Sequence, residues 1–443
     1  MKRLVDRLTP ARVLVLGFAA LILAGAILLM LPVSTYTGIS LLDALFTATS
    51  AVCVTGLVVV DTGTFFTPFG QIVIMCLIQV GGLGFMTAGT VIFVMLGRKI
   101  SLKERLVIQE ALNQMTLSGL IRLTKKIILF TFFLEALGAL FLSTRFVPIY
   151  GWKTGLYYSV FHSISAFCNA GFDLMGGFRS LTIFNDDYVV MSTIMFLFLL
   201  GGLGFTVLLE VQQKRNLRKL SLHSKIVLAS SFILLVLGTA AVLTLESANP
   251  ESLGSMGIFS RLINALFTAA TPRTAGFSVL PTDGLQDATL YFLMGLMFIG
   301  ASPASTGGGI KTTSFSAIII AVLSIIRGQE EVFVFRRRLP FVIVNKALSI
   351  IVVSIILVFV VSLLLTITES ARFLEILFET ISAFGTVGLS AGLTTELSAA
   401  GRFLIIITMF AGRVGPLTLT LALAQALKKK APFRYPEERI LVG

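Results

Sequence analysis

The chain has 443 residues, of which 56% are hydrophobic and only 13% charged, with 35 Lys and Arg against 22 Asp and Glu for a formal net charge of +13. A mean hydropathy of +0.96 excludes a water-soluble globular core, because several apolar runs reach the roughly 20 residues that cross a bilayer as helix. Only two His and the lack of any HExxH motif argue against an intramembrane enzyme, and the single GxSxG spacing, Gly388 to Gly392, falls at the end of a repeated motif.

Eight spanning helices are expected at about 12–32, 66–97, 121–147, 187–211, 224–246, 286–326, 341–368 and 400–427. The first is too long for a signal peptide, and no small-residue cleavage site precedes the next motif. Between the two helices of each pair lies a segment too short and too polar to cross, near 41–51, 154–167, 259–270 and 371–384. Each is expected to be a re-entrant helix followed by an extended loop. Non-helical backbone at membrane depth is tolerated only where it is buried in protein or lines water, so the four loops should converge on one aqueous path.

These segments are copies of one motif. LFTATSAVCVTGL, VFHSISAFCNAGF, LFTAATPRTAGF and LFETISAFGTVGL carry Gly56, Gly171, Gly276 and Gly388 at spacings of 115, 105 and 112 residues. Phe46, Phe161, Phe267 and Phe378 share one register, preceded by Ala44, Ser159, Ala265 and Ile376, while Ser50, Ser165 and Ser382 match in three copies. A second motif follows downstream in VGGLGF (80–85), LGGLGF (200–205), IGASPA (299–304) and AGRVGP (411–416). Taken alone, the GGLGF stretches read equally well as close helix packing. Together the two motifs divide the chain into repeats 1–110, 111–220, 221–335 and 336–443. The expected fold is an all-α polytopic membrane protein, with eight transmembrane helices and four re-entrant pore helices in pseudo-fourfold symmetry round one central pore.

A dehydrated monovalent cation needs its water replaced by oxygen dipoles, which rings of backbone carbonyls supply without a buried counter-charge. Side chains there must be small or point away, and glycine frees the backbone to aim successive carbonyls. The candidate filter is Cys53, Val54, Thr55 and Gly56; Cys168, Asn169, Ala170 and Gly171; Arg273, Thr274, Ala275 and Gly276; and Gly385, Thr386, Val387 and Gly388. FGTVG matches the first part of the TVGYG signature of potassium channels with one of its two glycines. The Arg273 head is expected behind the filter, with Glu379 buttressing the loop through it. Asp43, Asn264 and Glu375 open their short helices and suit helix N-termini.

The sixth helix breaks at ASPASTGGGIKTT (301–313), too rich in Gly and Pro for continuous helix. Ser302, Ser305, Thr306, Thr312 and Thr313 are small and polar, Gly307, Gly308 and Gly309 are flexible, and Lys311 brings a cation. Set below the filter, this loop would obstruct it. A phosphate-binding loop is set aside, since Ile310 separates Gly309 from Lys311. Arg413, inside the eighth helix, lies level with this break and is a functional candidate as an intramembrane charge.

Lys and Arg concentrate in the N-terminal segment, three connectors and the tail, which together hold 26 of the 35. By the positive-inside rule that face and both termini are cytoplasmic. Anionic membrane lipid or an acidic partner suits this face, and nucleic acid does not, because the basic residues lack interleaved aromatics. Asp61, Asp173, Asp186, Asp187, Asp283, Asp287 and Glu396 would rim the opposite mouth and concentrate cations there. His162 and His223 are isolated, and Cys53, Cys76 and Cys168 call for no disulfide.

The helix–loop–helix units, the single loop glycine in each and the interrupted sixth helix resemble the Trk/Ktr/HKT superfamily of potassium transporters over essentially the whole chain. The first unit begins at about residue 12, which places the resemblance nearest the bacterial Ktr-type membrane subunits. It implies potassium uptake across the bacterial cytoplasmic membrane, with Gly56 favouring potassium over sodium. It implies that 302–313 is the gate, bordered by Arg413. It also implies a homodimer seated on a cytosolic RCK-type ring (KtrA-like) that binds ATP or ADP, sodium as an activator, and no bound cofactor. An ion-coupled secondary transporter of another solute is the alternative, since that class also uses broken helices.

Overall fold

The computed structural model describes residues 10–84, 106, 120–329, 331–415 and 418. The predicted continuation of the second helix beyond Gly84, most of the first basic connector, Pro416 and the basic tail lie outside them. Among the described residues four single helices are long and apolar enough to cross a bilayer: α1 (Pro10–Leu29), α4 (Leu120–Tyr150), α8 (Leu222–Glu246) and α12 (Phe341–Thr368). The outward faces of the last three carry large apolar side chains such as Leu129, Phe232 and Phe359. Such faces suit acyl chains and no aqueous surface; the chain is a membrane protein.

A short helix follows each long one: α2 (Leu41–Cys53), α5 (Trp152–Phe167), α9 (Ile258–Ala270) and α13 (Phe373–Gly385). Local chemistry starts two of them clearly. Ser40 caps α2 by accepting from the Asp43 amide, and Glu375 accepts from the Arg372 amide at the head of α13. The shared-register phenylalanines Phe46, Phe161, Phe267 and Phe378 are all buried. They wedge these helices into the interior.

The second helices are α3 (Pro68–Leu83), α6 (Tyr188–Leu203), α10 (Asp287–Phe298) and α14 (Ala399–Val414). One break, in the sixth helix, was expected from the sequence; in the structure α3, α6 and α14 also end, at one shared register, and α10 ends four residues before that register. α3, α6 and α14 stop at Gly84, Gly204 and Gly415, with φ of +80°, +93° and +92°, values that L side chains resist. The chain then turns by 96° from α6 into α7 (Phe205–Lys214). After α10 a loop intervenes before α11 (Thr312–Ile326). The glycine three residues earlier also has a packing reason: a Cβ on Gly81, Gly201 or Gly412 would overlap the carbonyl oxygen of Val52, Phe167 or Phe384. GGLGF therefore ends a helix and brings it against the end of a short one at once.

Polar contacts join the start of each second helix to the start of the next short helix. Tyr157 Oη donates to Gln71 Oε1 at 3.1 Å. Asn264 Nδ2 donates to the Asn185 carbonyl at 2.9 Å and Ser260 Oγ to Asp186 at 3.1 Å. Arg372 pairs with Asp287 at 2.7 Å. Arg402 pairs with Asp43 at 2.5 Å, returning from the last motif copy to the first. Four seams thus close a ring. The Asp43–Arg402 pair is the most enclosed of its two ion pairs, with side chains 18% and 25% exposed, so its loss should exceed the usual surface value. Asp43→Arg is expected to lower thermal stability in detergent by about 1–2 kcal/mol. Asp43→Arg with Arg402→Asp should recover at least half of it.

Candidate functional site

Each short helix delivers its C-terminus to a common centre. The residue two before each motif glycine, Val54, Asn169, Thr274 or Thr386, has φ between 50° and 68°, and the glycines Gly56, Gly171, Gly276 and Gly388 have φ between 69° and 93°. Left-handed positions at alternate residues rotate the intervening peptide, so successive carbonyls face one side. A Cβ built on Gly56 would lie 2.6 Å from the Ala170 carbonyl oxygen, and one on Gly171 would lie 3.0 Å from that of Ala275. A Cβ on Gly276 would strike the Val387 carbonyl, and one on Gly388 that of Thr55. The carbonyl oxygens of Thr55, Ala170, Ala275 and Val387 therefore close a ring of four. No side chain larger than hydrogen fits at the glycines.

Each loop is braced by backbone bonds on its far side. The amides of Thr55, Ala170 and Val387 bond the carbonyls of Ser50, Ser165 and Ser382, at 2.8, 2.7 and 2.9 Å, and Ala275 bonds Thr271 at 2.9 Å. Hydroxyls continue the brace: Ser50 and Ser382 accept from the Gly56 and Gly388 amides, while Ser165 and Thr271 donate to the Phe172 and Phe277 carbonyls. Thr271 supplies the hydroxyl in the copy where the serine register fails. Four helix C-termini, each with about half a negative charge, add to the carbonyl field.

Of the predicted filter residues, Arg273 contributes backbone only; its buried head donates to the Ser231 carbonyl at 3.0 Å, away from the ring. Glu379 does not reach Arg273. It accepts from Thr394 Oγ1, and its second oxygen has no partner among the described residues. Cys53 and Cys168 are buried free thiols. Among the described residues no His, Cys, Asp and Glu group has metal-site geometry.

The segment between α10 and α11 lies against the side chains of the ring's lower residues. The Gly308 amide donates to Thr386 Oγ1 at 3.1 Å, Thr306 Oγ1 donates to Asn169 Oδ1 at 2.8 Å, and a Cβ on Gly307 would strike Thr274 Oγ1. Three of the four loops are thereby touched. Ser302 and Thr306 amides bond the carbonyls of Gly202 and Gly201 at 3.0 and 3.2 Å, and Phe205 N–H bonds the Ala304 carbonyl at 2.8 Å, so the ends of α6 and α7 hold the segment. Ser302 and Thr312 hydroxyls meet at 2.9 Å, and Ser305 Oγ donates to the Ser302 carbonyl at 2.6 Å. Lys311 Nζ donates to Gly307 O at 2.7 Å, and the φ of Gly309 is +66°.

Arg413 spans the centre. It donates to the Thr306 carbonyl of the segment and to the Gly81 and Gly82 carbonyls that end α3. A cation capping helix carbonyls is favourable in itself, and here it ties the segment to the first motif copy.

Sequence reasoning missed the supporting roles of two residues, Glu135 and His162. Glu135, buried on α4, accepts from Gln79 at 3.3 Å and from the Cys168 thiol at 3.8 Å behind the second loop. An acid within an apolar run was the signal. His162 donates from Nδ1 to the Tyr158 carbonyl and accepts from the Leu174 amide at 3.3 Å, which assigns its tautomer and steadies the chain after that loop. In the loop after the second motif, burial pushes the Asp173 carboxyl up to about 6, with Asp61 adding to the rise.

Four helix ends converging on carbonyls, in a membrane protein, define a transport protein for ions. The TrkH family, described as cation transport protein, matches residues 10–435, and the chain belongs to that family. It is 49% identical to the Ktr system potassium uptake protein B of Bacillus subtilis over 437 residues, covering 99% of this chain and 97% of that one. It is 44% identical to the Ktr system potassium uptake protein B of Vibrio alginolyticus, over 98% and 94% of the two chains. The crystal structure of the potassium transporter TrkH from Vibrio parahaemolyticus superposes with a TM-score of 0.72 at 18% identity, covering 92% of this chain and 83% of that one; that likeness is one of fold. These relatives are transport proteins and not enzymes.

The helix-end contacts yield a test of their own. Gly412→Ala, whose methyl would overlap the Phe384 carbonyl, is expected to destabilise the protein by about 2–3 kcal/mol. Gly295→Ala, in α10 with open space around it, should stabilise by up to about 1 kcal/mol. Thermal unfolding in detergent reads both.

Proposed function

We propose that the chain is the ion-conducting subunit of a Ktr-type potassium uptake system in the bacterial cytoplasmic membrane. The observation that carries this reading is the four-carbonyl ring of Thr55, Ala170, Ala275 and Val387, sealed by glycines that admit no side chain. Potassium sheds water into such oxygens at little cost, because the donors behind them are already bonded and the field is negative without a titrating group. The units are four pseudo-symmetric repeats round one pore, and the short helices are its pore helices. One carbonyl-aiming glycine per loop gives a shorter filter than TVGYG.

The segment 302–313 is the gate. It lies under three of the four loops, and its Lys311 and the adjacent Arg413 place two cations on the exit side, where each opposes a passing potassium ion. Opening requires the Arg413 bonds to Thr306 and α3 to be exchanged for others. The names of its relatives speak of a system, which supports assembly with further subunits. In this reading a homodimer sits on an RCK-type nucleotide-binding ring, which docks at the basic cytoplasmic face and works the gate, with sodium as activator.

Uptake of potassium, rubidium and sodium into a host lacking its own uptake tests filter and gate together. Gly388→Ser, which loads a side chain against the Thr55 carbonyl, is expected to cut potassium over sodium preference about tenfold, equivalent to about 1.4 kcal/mol. Deleting 305–310 or replacing Arg413 by Gln should raise leak in the absence of any activator. Wild-type flux and preference in all three, at normal expression, would leave the glycines a packing role alone. A separate check uses acidity: since Asp173 loses its charge as the pH falls through about 6, uptake at low potassium should drop across that range, and Asp173→Asn should flatten the profile.

A further inference from the structure

Neither the ring nor the segment beneath it uses the hairpin between α11 and α12. In it β1 (Phe333–Val334) and β2 (Arg337–Arg338) pair antiparallel, Phe333 opposite Arg338 and Val334 opposite Arg337. Phe335 and Arg336 make the two-residue turn, with φ of +49° and +62°. Hairpin turns with two left-handed residues favour Asn and Gly. Here the chain instead holds an aromatic ring and a guanidinium at the tip.

The base of the hairpin is anchored while its tip is free. Val332 and Leu339 are buried against Ala321 of α11 and Val344 of α12, and Leu339 N–H bonds the Val332 carbonyl at 2.9 Å. Phe333 and Phe335 are half exposed, at 50% and 51%, and Arg336, Arg337 and Arg338 are exposed. Glu331 takes Arg338 at 2.8 Å. Arg336 and Arg337 pair with no carboxylate among the described residues.

What lies beside the hairpin identifies its surroundings. Ile325 and Ile326 at the end of α11 and Phe341 and Val342 at the start of α12 are all strongly exposed, and on a membrane protein such residues face acyl chains. The tip phenylalanines extend that apolar belt, and Arg336 and Arg337 border it. Aromatic rings and cations together at the edge of an apolar belt match the interfacial zone of a bilayer, where rings sit at headgroup depth and cations meet phosphate. Arginine suits that contact, since its planar fork bonds two phosphate oxygens.

We propose that the hairpin 331–340 is a lipid-binding element: Phe333 and Phe335 enter the interface, and Arg336 and Arg337 bind phosphates of anionic phospholipid in the adjoining leaflet. This rests on the membrane reading of α11 and α12 and not on the potassium reading, so the test involves no ion flux. Continuity with the lipid-facing belt favours lipid over a protein partner, whose docking would strand that belt's edge.

The full chain carries a single Trp, so a Trp152→Phe, Phe335→Trp protein in vesicles reports on the tip alone. Brominated phosphatidylglycerol and brominated phosphatidylcholine are compared as quenchers at equal mole fraction in phosphatidylcholine vesicles. The expected result is quenching by both, stronger for the anionic lipid by about two-fold or more. That preference should fall to parity with Arg336→Gln and Arg337→Gln, or in about 1 M salt, where screening acts within about 3 Å. Phe359→Trp in the same Trp152→Phe background, on the lipid face of α12, verifies insertion and should show no lipid preference. If that reporter is quenched while the tip is not, the hairpin stands clear of the bilayer and faces a protein, and the proposal fails. Equal quenching of the tip by both lipids with the arginines intact overturns it as well.

Discussion

Backbone that leaves helix inside a bilayer must satisfy its own polar groups, and the whole interior of this protein follows from that demand. Each of the four central loops keeps one amide bonded backward, to Ser50, Ser165, Thr271 or Ser382, and turns its carbonyls inward, where no donor among the described residues reaches them. A carbonyl without a donor is costly in lipid and useful in a pore, because a cation can supply what the protein withholds. Every larger feature serves to keep these carbonyls in place. The buried phenylalanines seat the short helices, the helix-end glycines admit the second helices to contact, and the seams from Gln71 round to Arg402 hold the four copies at one spacing.

The same demand explains the segment below. Its amides and hydroxyls are taken by the ends of α6 and by Asn169 and Thr386, so it is as well satisfied as the loops it touches. Arg413 binds three carbonyls at once, on the segment and on α3. It has no carboxylate partner among the described residues. An arginine held by carbonyls alone leaves its positive charge uncompensated beside the axis, which is what a cation barrier requires. Because those bonds cross from the fourth motif copy to the third and the first, the proposed barrier would change with movement of any one of these elements.

Much of this was legible in the sequence, for physical reasons. The short helices fall within a few residues of the segments read as too short to cross, since an amphipathic stretch running into Gly is a local signal. Arg273 turned away from the ring as expected of a cation. What was not legible depended on neighbours remote in the chain. GGLGF looked like continuous helix because its glycines are compatible with one; the positive φ of Gly84, Gly204 and Gly415 ends the helices, and the carbonyls of Val52, Phe167 and Phe384 press on the glycine three residues earlier. Glu379 looked like a partner for Arg273 by depth, yet helix rotation, which depth does not fix, gave it to Thr394. Thr271 was overlooked because a match was sought in serine alone; it stands four residues after Phe267, at the serine's own register, and supplies the same hydroxyl.

The central claim is that four carbonyl oxygens, from Thr55, Ala170, Ala275 and Val387, take a dehydrated monovalent cation. Anomalous scattering from crystals of the protein grown in rubidium tests it most directly. The account requires a rubidium peak on the axis of that ring, lost in Gly388→Ser. Rubidium bound elsewhere with the ring empty, at a concentration that supports uptake, would contradict it.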